Sequence, residues 1–153
     1  QCVGFVPSAN VTSNLGDATH WFGTFYGISS QAKYADLAEI YSSDADYAPG
    51  TVVRLGGDAE ITVENSIASD EVFGVIATNP AYKMNADAGS DDTHPYVALN
   101  GRVPVRVIGP VRKGQTLVSA PDGLATVGEV NRFGIALETN LDHNEKSIEA
   151  VIL

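Results

Sequence analysis

The stretch Tyr96-Val97-Ala98-Leu99-Asn100-Gly101-Arg102-Val103-Pro104-Val105-Arg106-Val107-Ile108 decides the fold class. Val103, Val105 and Val107 fall on one face of an extended chain and Arg102 and Arg106 on the other, the period-two pattern of a strand with one buried side. Tyr96 to Leu99 reads as a strand of its own, and Asn100-Gly101 between the two runs is the strongest short hairpin signal a sequence can carry.

Outward from this stretch the same signals recur. Thr51 to Leu55 predicts a strand ended by Gly56-Gly57-Asp58, with Glu60 to Val63 as the returning arm of a hairpin. Val72 to Ala77 predicts another strand, stopped by Asn79-Pro80. Downstream, Gly109-Pro110 ends the strand at Ile108, and Gly114 and the Pro121-Asp122-Gly123 turn bracket Gln115 to Ala120. Gly134 to Glu138 and Ser147 to Leu153 form a closing pair, and the apolar end Ile148-Glu149-Ala150-Val151-Ile152-Leu153 reads as a buried strand whose truncation damages the fold. About nine short strands at regular spacing favour a β-barrel or β-sandwich over a βαβ sheet.

Upstream the pattern weakens. Ser30 to Tyr41 contains good helix formers with Tyr34, Ala38 and Tyr41 at helical spacing, yet Tyr34-Ala35-Asp36-Leu37-Ala38-Glu39 also alternates, so a short helix and an irregular strand both fit. Residues 1 to about 30 are rich in Gly, Ser, Asn and Thr, with isolated aromatic residues at Phe5, Trp21, Phe22, Phe25 and Tyr26, which reads as extended chain and turns without a core. The expected organisation is an extended stem or connector over residues 1–43 and a β-rich head over residues 44–153.

Composition bounds the function. With 153 residues, 44% hydrophobic and 18% charged, the chain is expected to fold as one compact domain with a short extended segment. Its 19 acidic against 9 basic residues give a formal net charge of −10, which repels phosphate backbones and anionic membranes; neither nucleic acid nor membrane insertion is expected. No apolar run has the length of a transmembrane helix or a signal peptide core. Cys2 is the single cysteine, so an internal disulfide and a thiolate zinc site are excluded. With Gln1 rather than Met at its head, the chain is expected to be a piece of a longer or processed polypeptide.

Catalytic and metal motifs are weak throughout. Each histidine has an acid nearby, Asp17 for His20, Asp91 and Asp92 for His94, and Asp142 for His143, but none shows the spacing of a zinc helix or an EF-hand, so solvated or structural histidines are expected. Residues 85–94 offer several oxygen donors in the most loop-like stretch of the chain, and Asp44 and Asp46 read as turn acids. Ser42, Ser43, Ser69 and Ser90 lie beside or near Asp residues, where a strained bond can cleave itself, but such dipeptides are common in turns and no Gly-x-Ser-x-Gly elbow occurs. Gly56-Gly57 precedes no helix and no Lys-Ser or Lys-Thr, so it is a turn and not a phosphate loop. Asn10-Val11-Thr12 fits a glycan acceptor, which matters only in a secretory pathway. No catalytic residue, metal site or cofactor is assigned.

Asn14-Leu15-Gly16-Asp17-Ala18-Thr19-His20-Trp21-Phe22-Gly23-Thr24-Phe25-Tyr26-Gly27 resembles the segment that precedes the C-terminal modules of phage tail-fibre and virion appendage proteins, and Tyr34-Ala35-Asp36-Leu37-Ala38-Glu39-Ile40-Tyr41 resembles their junction. The blocks Tyr47-Ala48-Pro49-Gly50-Thr51-Val52-Val53, Gly57-Asp58-Ala59-Glu60-Ile61-Thr62, Gly74-Val75-Ile76-Ala77-Thr78-Asn79-Pro80-Ala81-Tyr82, Ala98-Leu99-Asn100-Gly101-Arg102-Val103-Pro104-Val105 and Gly134-Ile135-Ala136-Leu137-Glu138, in this order, are similar to the C-terminal module itself, that of cyanophages and related marine phages in particular. The Tyr-Ala-Asp junction and the Gly-Arg-Val-Pro-Val strand are also similar, more remotely, to the intramolecular-chaperone domains of phage neck appendages, which assist trimerisation and then cut themselves free. That resemblance implies a trimeric β fold; the cleavage residues find no position-by-position match, so self-cleavage is not carried over.

The expectation is therefore a non-enzymatic structural component of a phage particle, in its tail, neck or capsid appendages. It would assemble as a homotrimer, contact other virion proteins and display loops for host attachment. Trp21, Phe22, Phe25, Tyr26, Tyr34 and Tyr41 are the expected trimer-packing residues, since aromatic side chains on an extended segment are covered only by neighbouring chains. A self-cleaving chaperone and a glycan-binding receptor-recognition domain, with the same aromatic residues stacking on sugars, are the alternatives.

Overall fold

A computed structural model describes residues 4, 6–10, 13–17, 19–28, 31–90 and 92–153. Cys2, Phe5, Val11, Thr12 and Asp91 lie outside the described residues. The chain divides into two compact units, Gln1–Gln31 and Ala32–Leu153.

The larger unit is built from ten strands: β1 (Asp36–Ile40), β2 (Val52–Leu55), β3 (Ile61–Val63), β4 (Val72–Ile76), β5 (Tyr82–Met84), β6 (Tyr96–Val107), β7 (Thr116–Ala120), β8 (Leu124–Val127), β9 (Gly134–Ala136) and β10 (Lys146–Ile152). No α-helix occurs among the described residues, and none is long and apolar enough to cross a membrane. Following the hydrogen bonds from β6 to β10, β9, β7, β8 and back to β6 closes a five-stranded barrel. β6 joins it to a second array in the order β3-β2-β4-β6-β1-β5.

The closed ring follows from side-chain alternation. Val103, Val105 and Val107 of β6 and Ile148, Ala150 and Ile152 of β10 are buried and run in antiparallel register from Lys146↔Val107 to Ile152↔Gly101, so every second residue of both strands fills the interior. Leu117, Ala125 and Ala136 from β7, β8 and β9 complete it. Closure leaves no free edge in the barrel, which protects short strands from pairing with foreign chains. In the second array the two faces are covered separately. Val52, Val75 and Ala98 join the main core, while Val53, Ile76 and Val97, each one residue away, form a smaller cluster with Ile61 against Tyr41, Tyr47 and Phe73.

Three expectations change here. Asn100-Gly101 is not a hairpin: it lies inside one twelve-residue strand, β6. The residues before it pair with β1 and β4 and those after it with β10 and β8, so the glycine marks the point where one strand passes from the second array into the barrel. The ambiguous run up to Tyr41 is a strand, because Asp36, Ala38 and Ile40 alternate inward against β6. That strand belongs to the larger unit although the sequence reading placed it in the 1–43 stem; the units part between Gln31 and Ala32. Of the alternatives barrel and sandwich, the closed ring selects the barrel.

Polar side chains tie the turns. The Arg106 guanidinium, on the outer face of β6, donates to Glu145 at 2.9 and 2.7 Å and to Thr51 at 2.9 Å, joining three segments. The Lys146 ammonium donates to the carbonyls of Gly109 at 2.6 Å and Asp142 at 2.7 Å, which closes the loop entering β10.

Candidate functional site

Among the described residues of the smaller unit, the hydrogen bonds gather at the turn from Asp17 to His20. The Asp17 carboxylate accepts the backbone N–H of Thr19 at 2.8 Å and of His20 at 2.9 Å, and the His20 imidazole Nδ1 lies 3.0 Å from it. These bonds, led by the Thr19 N–H, hold the Asp17 carboxyl below its ordinary range. Gly16 enters the turn at φ +84°, and a Cβ there would sit 2.6 Å from the His20 carbonyl oxygen, so only glycine fits. The turn brings Leu15, Trp21, Phe22 and Phe25 around one apolar depression of about 710 Å³. Its aromatic side chains remain open to solvent, Trp21 at 72%, Phe22 at 70% and Phe25 at 77%, and Tyr26 beside them at 93%. Contiguous exposed apolar side chains of this kind mark an interaction surface.

The other two expected packing residues stand elsewhere. Tyr41 is spoken for within one chain: its ring meets Phe73 edge-on at 5.0 Å and its hydroxyl donates to Glu39 at 2.8 Å. Burial and then that carboxylate push its hydroxyl up to about 12. Tyr34 is half-exposed on the larger unit, where it lines a groove of about 520 Å³ with Lys33, Asp36, Asn79, Arg102 and Glu149. Arg102 and Glu149 stand on the outward face of β6 and β10, Asn79 comes from the turn after β4, and the rim is the chain entering β1. Only Tyr34 carried a sequence signal. Lys33 and Asp36 are its near neighbours in sequence, while Asn79, Arg102 and Glu149 come from three distant segments that no spacing rule joins.

The remaining candidates are committed to local structure. Ser42 donates its hydroxyl to Glu60 at 3.0 Å, Ser43 donates to the Ala45 carbonyl at 2.6 Å, and the Ser69 hydroxyl accepts the Glu71 N–H at 3.1 Å, the bonds of ordinary turns. Within residues 85–94, His94 and Thr93 both donate their N–H to the Ser90 carbonyl, and the Thr93 hydroxyl bonds the His94 ring at 2.8 Å. Among the described residues no three His, Cys, Asp or Glu side chains converge as a metal would require.

The fold of the chain recurs in solved structures. The chain shares its fold with a bacteriophage protein. Pre-mature gene product 12 of bacteriophage phi29 superposes with a TM-score of 0.65 at 13% identity, over 84% of this chain and 23% of that one. The C-terminal fragment of the same gene product superposes with a TM-score of 0.60 at 15% identity, over 77% of this chain and 100% of the fragment. The superposed part of the chain thus spans under a quarter of the longer phi29 protein and the whole of its C-terminal fragment. No protein-family model and no curated protein sequence matches the chain.

Proposed function

We propose that this chain is a structural module of a bacteriophage particle, the C-terminal part of a fibre or appendage protein, and that it acts by assembling as a homotrimer. The observation that carries this reading is the cluster of Leu15, Trp21, Phe22 and Phe25, exposed on a unit in which no described hydrophobic residue is buried, in a chain that shares its fold with a phage C-terminal fragment over 77% of its length. Burying one large apolar side chain is worth about 1.5–3 kcal/mol. A single chain leaves that unrealised, and three chains around an axis recover it. The module would work by packing and not by catalysis, with other virion proteins as further partners and host attachment through its exposed loops. Its net charge of −10 disfavours nucleic acid as a ligand.

Sedimentation equilibrium at micromolar concentration is expected to return three times the chain mass. Trp21→Ser with Phe25→Ser is expected to return the monomer mass while the far-UV circular dichroism of the barrel is unchanged. Trp21 is the only tryptophan, so its emission in the wild-type assembly reports burial directly: blue-shifted in the trimer, and moving to the red on dilution into monomers. A wild-type chain that sediments as a monomer with water-exposed Trp21 emission refutes the proposal.

A second reading, a self-cleaving chaperone that directs trimerisation and then leaves, is favoured by one fact. The solved relatives are a pre-mature protein and its C-terminal fragment, and that fragment is covered over its whole length by 77% of this chain. Mass spectrometry of the intact parent protein from purified particles separates the two: release predicts a mature protein that lacks these residues.

A further inference from the structure

The groove on the larger unit has a composition unlike the rest of the surface. Lys33, Tyr34, Asp36, Asn79, Arg102 and Glu149 line it. Two cations face two carboxylates, so the groove is close to neutral in a chain of net charge −10. The side chains of Asn79, Arg102 and Glu149 make no hydrogen bond or ion pair with any described residue, and the Lys33 ammonium has only the Tyr34 ring, 5.6 Å from its centroid. Asp36 is buried and accepts the Ala81 N–H at 3.2 Å through one carboxylate oxygen.

Unused planar hydrogen-bonding groups beside a half-exposed aromatic ring suit one ligand chemistry. Carboxylate, amide and guanidinium each present two atoms at a spacing that neighbouring hydroxyls of a sugar ring satisfy as a pair, and a tyrosine ring supports the apolar face of the same sugar. An anionic ligand would need a surplus of positive charge, which Asp36 and Glu149 cancel. A volume of about 520 Å³ lies within the range of small-molecule sites, roughly 300–1,000 Å³. We propose that this groove is a binding site for a neutral saccharide, with Tyr34 as the stacking platform and Asn79, Arg102 and Glu149 as the groups that select among sugars.

The groove, not the Trp21 cluster, is thus the sugar site, and the proposal stands apart from trimer formation. The test is an array of immobilised neutral hexose and N-acetylhexosamine oligosaccharides, with acidic oligosaccharides beside them, probed with the full chain and followed by titration of the retained sugar in solution. Binding to a neutral oligosaccharide is expected, weakened about tenfold or more by Tyr34→Ala and by Arg102→Ala. Tyr82→Ala, which removes an exposed aromatic ring outside the groove, is expected to bind as the parent does. Retention of acidic sugars alone, no retention by a folded chain, or equal binding by the parent and Tyr34→Ala overturns the proposal. A monomer that holds the sugar removes the trimer and leaves the site; a trimer that holds none does the reverse.

Discussion

A chain that stops at Glu145 is expected not to fold. β10 pairs with β6 along its whole length and with β9 at its end, so its loss opens the barrel and leaves two strands with unpaired N–H and C=O groups. The same cut removes Ile148, Ala150 and Ile152 from the core. Losing most of one buried isoleucine side chain costs about 2–5 kcal/mol, and a domain of this size has a net stability of only about 5–15 kcal/mol. Two isoleucines and a strand therefore exceed what the remaining contacts can hold. The truncated chain is expected to show collapsed amide dispersion and no cooperative urea transition. Removing Leu153 alone, which is 64% exposed and held by one hydrogen bond to the Phe133 carbonyl, is expected to cost about 1 kcal/mol or less. A cooperative transition in the longer truncation would show that the barrel closes without β10.

What made this strand readable also marks the limit of reading. β10 and the second half of β6 alternate strictly, because one face meets the barrel interior and the other meets water. The β2–β3 hairpin was legible for a similar reason, its arms separated by a glycine turn. β5 was missed, since three residues are too short to establish a period and its partner β1 is distant in sequence; β8 was missed because four residues establish no period either, although it returns against β7 directly after the Pro121-Asp122-Gly123 turn. The apolar cluster was visible as aromatic residues, but the turn that gathers Trp21, Phe22 and Phe25 around Leu15 was not. The groove was invisible, because Tyr34, Asn79, Arg102 and Glu149 meet only after the chain has folded. Asn100-Gly101 is the instructive error. Asn-Gly predicts a reversal when its neighbours can pair with each other, and here the residues before it pair with β1 and β4 and those after it with β10 and β8, so the strand continues.

The glycine is nevertheless indispensable, for a reason that two alanine substitutions separate. Gly101 has φ +104°, where an L side chain is strained, and it stands in register with both Asp36 of β1 and Ile152 of β10. A Cβ there would overlap the Ala35 carbonyl oxygen and approach the Asp36 Cα to 2.9 Å, and both obstacles are backbone held in the sheet. Gly109, at φ +81°, has the same kind of strain with nothing within 4 Å of a Cβ. Gly109→Ala is therefore expected to cost the conformational term alone, about 1–2 kcal/mol. Gly101→Ala adds the displacement of β1 from β6, a further 1–3 kcal/mol for overpacking, for a total of about 2–5 kcal/mol. Urea denaturation of the two variants against the parent measures the difference. Equal losses would mean that β1 yields freely at this crossing; a larger loss at Gly101 means that the close approach of Ala35 to β6 fixes the position of β1. Because Tyr34 and Asp36 flank Ala35, the same displacement would also distort one wall of the groove.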